Sequence, residues 1–234
     1  MKLNWMILLG SLLVVAGLAN SFLGARQTAS PFDVADGEVV QASDNSFDIP
    51  LLRGSPPEVA PPVPRLEALS SSQPAQAGAE RPAGLVPDRL VIPAINLDAP
   101  IVPTQVKKIE YQGQTYYQWL APNQPAAGWH DSSALLGEPG NTVLNGHHNV
   151  YGKVFKDLVD LHEGDLIEVY SGNVLFKYQV ALAMLLPERY RSLSVRLENA
   201  RWILPTQDER LTLITCWPPE SNTHRVIIVA LPVK

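Results

Sequence analysis

Apolar and polar positions along the chain fall into three regimes. The first is unbroken. Trp5 to Ala19 reads WMILLGSLLVVAGLA, and no charged side chain occurs from residue 5 to residue 25. At about 1.5 Å per residue such a run crosses a hydrocarbon core of about 30 Å. Residues 1–26 therefore read as an N-terminal membrane anchor. The stretch after Arg26 is acidic and Pro-rich, with no basic cluster to hold it in the cytoplasm, which favours an N-in, C-out orientation. The competing reading is a cleaved signal peptide, with Gly17 and Ala19 as the small residues of the cleavage site. Both readings export the rest of the chain.

The second regime, residues 27–84, has no apolar period. It holds nine prolines, only two aromatics (Phe32 and Phe47) and the run Ser70-Ser71-Ser72. Such a segment buries too little apolar surface to offset the entropy of ordering it. It reads as a disordered, partly polyproline tether whose ends lie on the order of 40 Å apart. A short motif within it, such as Phe47-Asp48-Ile49-Pro50, could dock on the domain that follows.

The third regime, residues 85–234, alternates with period two or runs apolar for four to six positions. Arg89–Ile92, Ala99–Val102, Tyr116–Leu120, Asn141–Asn145, Asp165–Tyr170, Val174–Val180, Leu211–Thr215 and Val226–Ala230 read as strands. Ser171-Gly172-Asn173 reads as a hairpin turn. Pro93, Pro100 and Pro103 bracket the early strands. Helical period is scarce, and Val154–Leu158 offers its best case, one or two turns. Many short strands at this spacing predict a closed all-β barrel or sandwich.

Charge and composition narrow the function. Of 234 residues, 18 are Lys or Arg and 23 Asp or Glu, a net charge of −5 that gives no support for nucleic-acid binding. A single cysteine, Cys216, excludes a disulfide within the chain, a Cys-rich zinc module and a CxxC redox site. Cys216 stands directly after the strand Leu211–Thr215, at a place where side chains meet substrate. Taken alone, it could equally be a small buried hydrophobe. A thiol nucleophile needs a base or a cation beside it. His130, His162 and His224 read as ordinary surface or capping histidines. His147 follows a strand end, with Gly146 letting the backbone bend there. His148 points away from His147 by alternation and receives no role. Antiparallel pairing of 211–215 with 226–230 would set Arg225 beside Cys216, where a guanidinium can stabilise an oxyanion. No obvious carboxylate completes the set.

Leu213-Ile214-Thr215-Cys216, with an arginine at the head of the next strand, resembles the active-site signature of the sortases. Asn145-Gly146-His147 resembles the family's histidine motif, 69 residues upstream (216 minus 147). Phe155 to Gly164-Asp165 resembles the F–L–L–GD stretch after the histidine. Leu90–Pro93 with Ala99-Pro100-Ile101 resembles the opening strands. The likeness runs from about 88 to 231, and the anchor and tether suit the family. It implies an eight-stranded sortase-type β-barrel with one or two short helices, and cysteine transpeptidation. It also implies that Cys216 is the nucleophile, His147 the acid/base and Arg225 the oxyanion-holding and substrate-positioning residue. The partners it implies are an exported protein bearing a C-terminal sorting motif and an amine acceptor of the envelope, either a cell-wall precursor or a pilin lysine. No cofactor or metal is expected. The alternatives are an exported cysteine peptidase or hydrolase with the same Cys–His dyad, and a non-catalytic anchored β-domain that binds envelope proteins.

Overall fold

A computed structural model describes residues 50–52, 60–63, 82–104, 106–111 and 113–233. All belong to the unit Val40–Lys234. Among them no helix is long and apolar enough to cross a membrane. The segment 1–26, read as an anchor, lies outside the described residues.

Eight strands close into a barrel: β2 (Arg89–Ile92), β3 (Leu97–Thr104), β6 (Ala127–His130), β7 (Gly140–Asn145), β8 (Leu166–Ser171), β9 (Val174–Pro187), β10 (Glu209–Trp217) and β11 (His224–Pro232). Around the wall they run β10-β11-β9-β8-β2-β3-β6-β7, and β7 closes on β10. The β7/β10 and β3/β6 pairs are parallel and the others antiparallel. Closure leaves no exposed barrel edge for another chain to pair with. A separate small sheet joins β1 (Pro50–Leu52), β5 (Gln114–Trp119) and β4 (Val106–Tyr111).

β3 runs through both prolines that seemed to bracket it. Ile101 N–H bonds the Asp88 carbonyl on the β2 side. Pro103, of the same parity, faces that side too, but β2 pairing stops at Pro100↔Arg89. Pro100 faces the β6 side, where pairing begins only at Ile101↔Ala127. Neither missing N–H leaves a gap in a ladder.

Side chains along the wall separate into two layers. One core includes Leu90, Phe155, Phe176, Tyr178, Leu213 and Ile228, each wholly buried. Burying one such side chain contributes roughly 1.5–3 kcal/mol. The alternate positions of β10 and β11, Ile214, Cys216, Ile227 and Val229, face a second cluster. There they meet Trp119, Ala200 and Ile203. The single α-helix among the described residues, α1 (Leu193–Ala200), and the 3-10 turn Arg201–Ile203 supply the last two. Val154–Leu158, expected as helix, forms turns that lead into a 3-10 turn at Leu158–Asp160. Phe155 and Leu158 both plug the first core.

Two pieces of the segment read as a disordered tether pack on the domain. Pro50–Leu52 pairs with Tyr116–Gln118. Ala60 is buried and donates its N–H to the Pro205 carbonyl at 3.1 Å. The Pro61 carbonyl accepts from Arg210 Nη1 at 2.9 Å. These contacts are main-chain, so no apolar pattern announces them.

Candidate active site

β10 is ladder-paired on both sides, so each of its side chains has a fixed face. Leu213 enters the first core, and Ile214 and Cys216 the second cluster. In the antiparallel pair with β11, Cys216 lies directly opposite Arg225. Opposite residues share a face, with Cβ atoms about 4.5–5.5 Å apart. On the other side β7 runs parallel to β10, with Asn145 opposite Ile214. Gly146 N–H still bonds the Ile214 carbonyl at 3.3 Å, and Thr215 Oγ1 donates to the Gly146 carbonyl at 2.7 Å. His147 thus stands two residues beyond Asn145, as Cys216 stands two beyond Ile214. Thiol, imidazole and guanidinium come together at one end of three adjacent strands. They are 6%, 6% and 5% exposed, so whatever reacts here is shielded from bulk water.

Gly146 plays a different part from the bend expected of it. Its φ is not left-handed. A Cβ there would meet the Phe155 ring at 2.8–3.1 Å. The glycine gives room for Phe155 to plug the core directly beneath the His147 loop, and Phe155 N–H bonds the His147 carbonyl at 2.9 Å.

Arg225 Nη1 points to the carbonyls of Asn222 (3.4 Å) and His224 (3.3 Å), which hold the guanidinium back against the β10–β11 turn. Burial pushes the His147 pKa down to about 4, and the neighbouring His148 pushes in the same direction. The resting imidazole is therefore neutral at neutral pH. Its Nε2 has no hydrogen-bond partner among the described residues. The Tyr151 ring lies 5.2 Å from it, tilted by 45°, on a residue with φ 47°. Among the described residues no cluster of His, Cys, Asp or Glu could hold a metal ion.

The other histidines divide. His162 is exposed, as expected. His224 is half-buried and bonds Thr223 Oγ1 at 2.9 Å. His130 is not a surface residue: it is 1% exposed in β6 and stacks on Trp119 with ring centroids 4.3 Å apart. Burial pushes its pKa down to about 3. His148 faces away from the second cluster, toward the Trp217 ring at 6.2 Å. Sequence reading gave it no part, and adjacency to His147 was the only signal available.

A family model described as Sortase domain matches residues 90–233. No curated protein matches the chain. Among solved structures, sortase C-1 from Actinomyces oris is 24% identical with a TM-score of 0.48, over 63% of this chain and 73% of that one. A lid mutant of Corynebacterium diphtheriae sortase A is 24% identical with a TM-score of 0.49, over 67% and 73%. Listeria monocytogenes sortase A is 22% identical with a TM-score of 0.48, over 64% and 88%.

Proposed function

This chain belongs to the sortase family of cysteine transpeptidases, and on that premise we propose that Cys216, His147 and Arg225 carry the reaction. The observation behind the assignment is the register: Cys216 opposite Arg225, with His147 at the matching position past the parallel strand. The acyl donor is an exported protein with a C-terminal sorting motif. The acceptor is an amine of the envelope, a cell-wall precursor or a pilin lysine.

The proton inventory follows from the neutral resting imidazole. His147 can give a proton to a leaving amine only after it has collected one, and the donor is the Cys216 thiol. The thiolate attacks the scissile carbonyl and forms a C–S bond. Arg225 and backbone N–H groups hold the oxyanion. The intermediate collapses, the C–N bond breaks and imidazolium protonates the departing amine. A thioester on Cys216 remains. The acceptor amine attacks it, His147 takes the amine's proton, the thiolate leaves, and that proton returns from His147 to Cys216 to restore the resting pair. Burial of the pair favours an amine that binds over water that must diffuse in.

We place the domain outside the cytoplasm, at the membrane, on the end of an N-terminal anchor formed by 1–26. The segment 27–84 serves as its tether and 85–234 as the catalytic domain.

Peptides from exported proteins, incubated with and without an added primary amine, test the reading. The expected product is the amide of the acyl fragment, which replaces the acid when amine is present. Arg225→Ala should lower the rate about 100- to 1000-fold. Acid as the sole product in saturating amine would mean a peptidase. No cleavage of any peptide, with Cys216 inert, would mean a binding domain.

A further inference from the structure

We propose that the Tyr151 ring walls the acceptor subsite: the carbon stem of a primary alkyl amine lies along it while the amino nitrogen reaches His147. The inference deepens the reading of Cys216 and His147 as a transferring pair and rests on it.

The loop that carries Tyr151 is closed at its base and at its tip. It leaves from His147 and returns at Phe155, whose N–H bonds the His147 carbonyl at 2.9 Å. Phe155 is wholly buried, so the base of the loop is fixed in the first core. Part way along, Asn149 Nδ2 donates to the Pro219 carbonyl at 2.9 Å, on the chain past Cys216. At the tip, Lys153 N–H bonds the Val150 carbonyl at 2.9 Å.

The backbone of the tip is left-handed at Tyr151, Gly152 and Lys153, with φ of 47°, 86° and 54°. L side chains disfavour that region. Gly152 has a packing reason to be glycine, because a Cβ there would meet Pro125 at 2.5–2.9 Å. The tip is therefore seated on the segment just before β6. Tyr151 has no such reason. Glycine or asparagine fits a left-handed turn position at less cost than tyrosine. What tyrosine supplies at this position is its ring, and a strained backbone residue beside a reacting group points to a use for that ring.

The ring borders the imidazole and faces water at the same time. Its centroid lies 5.2 Å from that of His147, tilted by 45°. Tyr151 is 48% exposed where His147 is 6% exposed. A ring so exposed adds little to the core and keeps a face open to a bound molecule. The arriving amine gives its proton to His147, so its nitrogen must come within hydrogen-bond reach of the imidazole. The rest of the acceptor then runs outward, past the side chains that border the imidazole, and Tyr151 is the exposed ring among them. An alkyl stem against the face of a tyrosine is a contact between apolar surfaces, and it leaves the polar parts of the acceptor in water. The contact acts on the stem and not on the reacting nitrogen. Tyr151 is thus a specificity-determining residue, one that selects among amines.

The test lets two amines compete for one acyl-enzyme. Full-length wild type, Tyr151→Ala and Tyr151→Phe each receive the peptide that the wild type cleaves best. Nα-acetyl-lysine amide, whose amine ends a four-carbon stem, and hydroxylamine, which has no stem, are present together. Mass spectrometry reads the ratio of lysine amide to hydroxamate. That ratio depends neither on how fast the thioester forms nor on how fast water removes it. A merely displaced imidazole, which slows both amines, leaves it unchanged. Tyr151→Ala should lower the ratio about tenfold, the effect of losing one or two methylene contacts. Tyr151→Phe keeps the ring face and should stay within about twofold of wild type. A Tyr151→Ala ratio within about threefold of wild type overturns the subsite. So does a Tyr151→Phe ratio as low as that of Tyr151→Ala, which assigns the effect to the hydroxyl. If Tyr151→Ala fails to fold, Tyr151→Gly, which suits the left-handed backbone, is held to the same limits. A wild type that makes neither product sinks the underlying transfer reading instead, and the subsite with it.

Discussion

His130 and His147 show what burial does to an imidazole. In each, loss of water is the main force holding the ring neutral, with pKa values pushed down to about 3 and about 4. In the unfolded chain both take up protons near pH 6.5. Between pH 6.5 and these values the unfolded state binds more protons than the folded one. Stability is therefore complete above about pH 6.5 and is lost as pH falls through that window. His130→Phe keeps a ring against Trp119 and removes one titration. Melting temperature measured from pH 7 to pH 4 should fall less steeply for this variant than for wild type, and parallel curves would contradict the account. His130 also marks a limit of sequence reading. After Gly128-Trp129, in an expected loop, it reads as an ordinary surface or capping histidine. Pairing with β3 and β7 and the stacked Trp119 ring, none of which the local pattern shows, bury all four positions of Ala127–His130. The strand-end positions of Cys216, His147 and Arg225 were more legible, because strand ends, a glycine and one cysteine are local signals.

At the scale of elements, the connection between β9 and β10 is held by one carboxylate. Glu188 is 1% exposed. Its Oε1 accepts from Arg196 Nε at 3.0 Å and its Oε2 from Asn199 Nδ2 at 2.8 Å. Its own N–H bonds the Thr223 carbonyl at 2.9 Å. It thus ties α1 to the end of β9 and to the turn just before Arg225. Arg196→Ala leaves that buried carboxylate with one partner fewer, which costs about 1–3 kcal/mol. Denaturant unfolding should show a lower midpoint at unchanged slope, whereas an unchanged midpoint would contradict the clamp. This helix was invisible in the sequence. Only Asn199 and Ala200 of its eight residues are buried, too few to print an apolar stripe. β4 was missed for a related reason, since the adjacent Lys107 and Lys108 put an exposed charge on each of its two faces. The long strands were plain as short apolar runs where both faces enter a core, as in β10 and β11. Their pairing set Cys216 opposite Arg225, as the pattern predicts.

At the scale of the molecule, the chain before the domain does more than span distance. Pro50–Leu52 extends the small sheet, and Ala60 and Pro61 bond the start of β10 and the segment before it. Arg210 is only 3% exposed, so removing the Pro61 carbonyl takes one partner from a buried guanidinium and leaves it Asp208 alone among the described residues. A chain beginning at residue 82 should melt several degrees below one beginning at residue 40, and equal melting temperatures would show that these contacts contribute nothing. The central claim, however, is chemical, and one spectrum addresses it. Intact-protein mass spectrometry of the enzyme, quenched in acid during turnover of a cleaved peptide, should show the enzyme plus the acyl fragment, bonded to Cys216 and released by hydroxylamine. Turnover with no adduct at Cys216, or a Cys216→Ala variant that still transfers the fragment, would contradict it.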